Sequence, residues 1–248
     1  LENALITCSA EQIEKQMKSR KGRQIFQTGP QKFFLILPTP LDISKIADRV
    51  YTYDLTGKVS TTHKYDDKVD GMALSSEKFV AFFNHALEAK SIALTKEELS
   101  LKKALLAAGL IKEENEKMWA PNVFALGFAE RRADKGTVGH EMNHMDFETN
   151  PTYRKAIGEY YDSLSPKEKN LIRSVLTQVG YANVLTSPVH LHSEFAAFFR
   201  DFEVLKNEYG PSLKNVDWSS VQQISEELRR IESKTLKPSA ACEAAGKQ

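Results

Sequence analysis

Two cysteines in 248 residues are too few for a disulfide-dense scaffold or a cysteine-rich zinc finger. Long apolar runs are missing too. The longest candidates, such as Phe33-Phe34-Leu35-Ile36-Leu37, are strand-sized, well short of the ~18 residues that cross a bilayer. No integral membrane segment is expected. Excess charge is the third absence: 34 basic and 33 acidic residues leave a formal charge of +1. No net field draws such a chain to a phosphate backbone, and nucleic acid is not an expected partner. There is no internal repeat and no Gly-x-Ser-x-Gly setting for a nucleophile. Gly136-Thr137-Val138-Gly139 lacks the lysine and the spacing of a phosphate-binding loop.

What is present fits one large domain or two small ones, and the pattern is α+β. Residues Ala10 to Arg20 are charged and helix-prone. Lys32 to Leu37, closed by Pro38-Thr39-Pro40, reads as a buried strand. Val50–Asp54 and Lys58–Tyr65, flanking Leu55-Thr56-Gly57, have hairpin character. Ser75-Ser76-Glu77 starts a helix to about Ala89, and Thr95-Lys96-Glu97-Glu98 resembles a capping box. Pro121 to Ala129 returns to strand character. Helices are then expected at about 137–149, 152–163, 166–180, 188–206 and 217–234. The sequence therefore predicts a mixed sheet in the N-terminal half, to about residue 135, and a mainly helical part over about 136–236. An irregular tail follows over 237–248.

The chemistry is concentrated in Gly139-His140-Glu141-Met142-Asn143-His144, a His-Glu-x-x-His motif. Residues four apart on a helix lie one turn above each other, so both imidazoles can reach a single Zn²⁺. Glu141 then stands beside the metal, placed to take a proton from a water that the ion polarises. Thr137 is the expected N-cap, with Met142 and Met145 packing inward. The bland alternative is a pair of ordinary histidines or a structural metal.

A third ligand must come from elsewhere. Glycine and then histidine or aspartate, three and six residues after the second histidine, would mark a metzincin; here those positions are Phe147 and Asn150. Glu159 is one candidate, though it can equally face solvent. Glu194 is the better one. Ser187-Pro188 makes a helix start, and on that helix His190, Glu194 and Asp201 share a face. A carboxylate among Phe195, Ala196, Ala197, Phe198 and Phe199 pays a large desolvation cost unless it is partnered, and a metal would partner it. His190 could serve as ligand instead. His190 or His192 could also donate to a developing oxyanion, and Asp146 and Asp201 could accept from a ligand histidine's second ring nitrogen.

The motif helix followed tens of residues later by a glutamate resembles the gluzincin class of zinc metallopeptidases. Glu194-Phe195-Ala196-Ala197-Phe198-Phe199 is similar to the glutamate-bearing helix of the anthrax lethal-factor-like peptidases. The resemblance implies a single zincin-like catalytic domain across 1–248, with the active-site helix between the two halves. It also implies one Zn²⁺ per chain on His140, His144 and Glu194, with Glu141 as general base and a protein or peptide as substrate. Those peptidases carry an oxyanion-steadying tyrosine two helical turns before the third ligand. This chain has Ser187 there, and Tyr181 is the nearest tyrosine, so Tyr181 and His190 are the candidates for that role. Where the family tends to place a second acid one turn after the ligand, this chain has Phe198. In zincin folds the strand before the motif helix forms the cleft edge. Asn122 to Phe128 would take that role, with Gly127 admitting a substrate backbone, or would be wholly internal.

The expected activity is a zinc-dependent endopeptidase. The alternatives are a non-catalytic zincin-fold binding protein and a metal-dependent hydrolase of a non-peptide amide. Cys8 and Cys242 stand at opposite ends of the chain, where they could clasp the two tails in an oxidising compartment or remain two separate thiols. The chain opens on Leu1, not Met, so a preceding segment is expected to have been removed. Both points lead to the expectation of a secreted or periplasmic protein.

Overall fold

The computed structural model describes residues 5–6, 24–29, 31–58, 71–89, 92–130, 133 and 135–236. The helix expected over Ala10–Arg20, residues 59–65 of the expected hairpin, both cysteines and the tail from Pro238 lie outside them. The architecture is α+β, with a mixed sheet in the N-terminal half and a mostly helical C-terminal half. Two compact units divide between Met145 and Asp146.

The first unit runs β1 (Leu5–Ile6), β2 (Gln24–Gly29), β3 (Lys32–Leu37), α1 (Pro40–Thr56), β4 (Gly71–Ser75), α2 (Ser76–Glu88) and α3 (Lys96–Ala107). A hairpin, β5 (Lys112–Glu114) and β6 (Lys117–Trp119), leads to β7 (Ala125–Glu130) and the helix α4 (Lys135–Thr149), whose last turn lies beyond Met145. The sheet order is β1-β2-β3-β7-β4; β3 and β7 are parallel, and β4 runs antiparallel to β7 at one edge of the described sheet.

Side chains alternate between two covered faces, as a period of two requires. Leu35, Leu37, Leu74, Leu126 and Phe128 pack with α1 and α2. Phe34, Ile36, Ala125 and Ala129 point the other way, toward Val138 and Met145 of α4. That second face is built from small residues on β7 and β4, which lets α4 approach closely. A Cβ on Gly127 would come 2.8 Å from the Phe34 ring and 3.2 Å from the Met145 sulfur.

Two expectations are corrected here. Val50–Asp54 is helical, the C-terminal part of α1 and not a hairpin arm. Thr39 caps the helix by accepting from the Asp42 N–H, Pro40 sits in its first turn, and Gly57 ends it at φ +64°. Ile43, Ile46, Ala47 and Val50 recur at helical spacing and are all buried, and this burial outweighs the β-propensity of Val50-Tyr51-Thr52-Tyr53. The strand before the motif is internal, since β7 is bonded on both sides, and it begins only at Ala125. The space at Gly127 is taken by Phe34 and Met145, not by a substrate.

The second unit contains α5 (Pro151–Ser163), α6 (Pro166–Gln178), a 3-10 turn (Ala182–Thr186), α7 (Pro188–Phe199), a short α8 (Phe202–Val204), a π-turn (Leu205–Tyr209) and α9 (Trp218–Thr235). Its core joins Tyr153, Ile157 and Tyr161 of α5 to Phe195 and Phe199 of α7 and to Val221, Ile224 and Leu228 of α9. The helix expected over 188–206 is broken after Phe199. Arg200 forms a two-pronged ion pair with Glu232, at 2.7 and 2.5 Å, and its carbonyl accepts from Ser225 Oγ. Asp201 then caps α8 by accepting from the Val204 N–H. No described helix is long and apolar enough to cross a membrane.

Candidate metal centre

Helix α4 holds the motif because its sheet-facing stripe matches the small-residue face beneath it. Val138 and Met145 are fully buried there and Met142 packs alongside, which meets the expectation for both methionines. The helix begins at Lys135, so Thr137 lies inside the first turn and is not its N-cap. At the other end the Arg154 guanidinium donates to the carbonyls of Phe147 (3.1 Å) and Glu148 (2.7 Å). Asn150 accepts from the Tyr153 N–H and so caps the next helix. The two positions tested for a metzincin pattern are thus a core phenylalanine and a helix cap.

With the helix fixed in this way, the two histidines converge. The Nε2 atoms of His140 and His144 are 3.0 Å apart, and the rings meet edge to face at 82°. Glu141 projects from the same turn toward the sheet and is 5% exposed. His140, His144 and Glu194 each offer one ligand atom, and these atoms lie within 4.8 Å of one another. Two imidazole nitrogens and a carboxylate oxygen are donors that suit a divalent transition ion. The three side chains could hold a metal ion.

Glu194 arrives where the sequence places it. Ser187 caps α7 by accepting from the His190 N–H, Pro188 is the first helical residue, and every residue from Ser193 to Phe199 is buried. Glu159 is two-thirds exposed and pairs with Lys155 at 3.7 Å, which leaves it on the solvent face. His190 is half-buried one turn before Glu194.

His192 lies about 160° around the helix from Glu194. Its ring packs on Tyr161 at 4.9 Å, and burial holds its pKa below the usual imidazole value. It belongs to the core of the second unit and not to the ligand group. Tyr181 packs edge-on against Phe198 at 4.9 Å, one turn beyond Glu194 on the same helix. Asp201, expected to share a face with His190 and Glu194, lies past the end of α7. Its carboxylate goes to the Val204 N–H (3.3 Å) and to Arg229 (3.6 Å).

One neighbour of the motif has no local sequence signal. Gly71, the first residue of β4, lies directly against Glu141 and Thr137, although 70 residues separate Gly71 from Glu141. Only the pairing of β4 with β7 brings it there.

In comparisons with known proteins, the chain matches no family model, and neither a curated protein nor a solved structure is significantly similar to it.

Proposed function

We propose that this chain is a zinc-dependent endopeptidase with a zincin-like catalytic domain. The observation that carries the reading is the convergence of His140, His144 and Glu194, with Glu141 one residue from the first of them. Two imidazoles and a carboxylate suit a catalytic zinc ion, and the His-Glu-x-x-His spacing is what argues for zinc over other divalent ions. A zinc ion held there would polarise the scissile carbonyl and make the attacking water more acidic.

The remaining steps belong to the chain's own side chains. The Glu141 carboxylate takes a proton from the attacking water and afterwards delivers it to the departing amine. His190 or Tyr181 donates to the oxygen on which negative charge develops. The substrate enters as an added strand. β4 is one edge of the described sheet, antiparallel to β7, and its first residue lies against Glu141. An extended peptide paired with β4 would carry its backbone amides past that carboxylate.

The test is hydrolysis of a mixed peptide library by the zinc-loaded protein, by the chelator-treated protein and by Glu141→Gln at equal zinc content. Cleavage in the first sample alone supports the proposal. Cleavage unchanged in Glu141→Gln removes the general base. Zinc binding with no cleavage in any sample favours the non-catalytic binder, and cleavage of a non-peptide amide alone favours the third reading.

A further inference from the structure

Gly71 has an ordinary strand conformation, in contrast to Gly57, Gly109 and Gly180, whose positive φ calls for glycine. A glycine inside a strand costs chain entropy and offers no side chain to pack. The backbone therefore gives no reason for glycine at this position, and the reason lies in the space above it. A Cβ built on Gly71 would stand 2.7 Å from Glu141 Oε1, 2.9 Å from Glu141 Cγ and 2.9 Å from the Thr137 methyl. Two side chains of α4, one turn apart, thus close over the hydrogen of Gly71. Two residues along the same strand, Ala73 does carry a Cβ on this face and packs, like Met142, against the cluster that holds Val138 and Met145. The β4 surface is cut back at the end where Glu141 lies.

We propose that Gly71 is a positioning residue for Glu141, the missing side chain being the space that sets where the carboxylate stands. The catalytic consequence rests on the reading of Glu141 as general base; the packing relation does not. A methyl group at position 71 would force Oε1 away by roughly 0.7 Å to reach ordinary contact at 3.4 Å. Val138 and Met145, both fully buried, hold the helix itself, so the Glu141 torsions must yield. Displacements of that size at a reacting group cost on the order of 100-fold in rate.

The test is a cycle of Gly71→Ala and Glu141→Ala, read first as thermal stability of the metal-free protein. In the Glu141→Ala background, Gly71→Ala keeps only the Thr137 methyl contact at 2.9 Å and should shift the melting temperature more favourably than it does in wild type, by at least about 1–2 °C. In the wild-type background the same change should give no gain or a loss. The second readout is the zinc-loaded enzyme. Gly71→Ala should retain wild-type zinc content and a KM within about twofold, while kcat falls on the order of 100-fold.

Equal melting shifts in both backgrounds, or wild-type kcat in Gly71→Ala, would overturn the proposal. A Gly71→Ala protein that unfolds alone but is rescued by Glu141→Ala would support it. If the zinc-loaded wild type hydrolyses nothing, the peptidase reading fails, and the stability cycle still decides whether Gly71 sets the carboxylate.

Discussion

The Nε2 atoms of His140 and His144 face each other at 3.0 Å. Two donors on a tetrahedral zinc ion, each at about 2.0–2.1 Å, stand about 3.3 Å apart, so the pair already has nearly the bite of a chelate. The same distance would suit an N–H···N hydrogen bond between neutral rings. What distinguishes this pair from a casual imidazole contact is the third donor, the 7%-exposed Glu194, brought within 4.8 Å of the others.

The first prediction follows from that third donor. Glu194→Ala should weaken zinc binding by more than about 100-fold, beyond what the loss of an outer partner costs. Glu159→Ala should leave it unchanged, since that residue pairs with Lys155 at the surface. Zinc content by mass spectrometry after equilibrium dialysis separates the two. Full occupancy in Glu194→Ala would hand the third position to His190.

The second prediction concerns the frame that carries the sheet. Arg49 and Glu98, with side chains 7% and 2% exposed, pair at 3.2 Å. The same Glu98 oxygen accepts from the Thr95 N–H at 2.8 Å, while Arg49 also donates to the Ala93 carbonyl. Glu98→Ala removes one partner of a buried ion pair and should cost about 3–5 kcal/mol. Exchanging both residues for apolar ones of similar volume should cost far less. Urea unfolding of the wild type and the two variants checks the order.

A third prediction is a pH dependence. Hydrogen bonds from the Ser165 hydroxyl and then the Ser165 N–H pull Glu168 below its usual 4.5. The unfolded chain therefore binds more protons near that pH than the folded one. The capping contribution is full above about pH 4.5 and is lost as pH falls through the lower, folded-state value. Ser165→Ala should cost about 1 kcal/mol at neutral pH, and its difference from wild type should shrink on acidification. Chemical unfolding across about pH 3 to 6 tests this, and a difference that stayed constant would contradict it.

Much of the candidate metal group was legible because its signals are local. The motif spacing, the Ser187-Pro188 helix start and the carboxylate set among aromatics each occupy one or two turns of helix. The capping box at Thr95–Glu98 was equally readable and forms as written; Ser165–Glu168 forms a second one. What escaped depends on distant chain or on opposing local signals. Residues 50–54 favour strand by composition, and only the burial of Ile43, Ile46, Ala47 and Val50 along one stripe decides for helix. The β5–β6 hairpin turns through Asn115 and Glu116, both at positive φ, without the glycine that marks such turns.

The break after Phe199 depends on Glu232, which lies 32 residues from Arg200, and no local pattern reports it. Strand order is the same kind of fact. Nothing in Ala125–Glu130 says that two strands flank it, nor that Gly71 will lie against Glu141.

The most direct measurement is anomalous scattering at the zinc edge from crystals of the zinc-loaded protein. The account predicts one peak per chain, bounded by His140 Nε2, His144 Nε2 and a Glu194 carboxylate oxygen, with Glu141 beside the ion but not bonded to it. A peak that lacks either histidine or Glu194, or no peak at this group in zinc-saturated crystals, would contradict it.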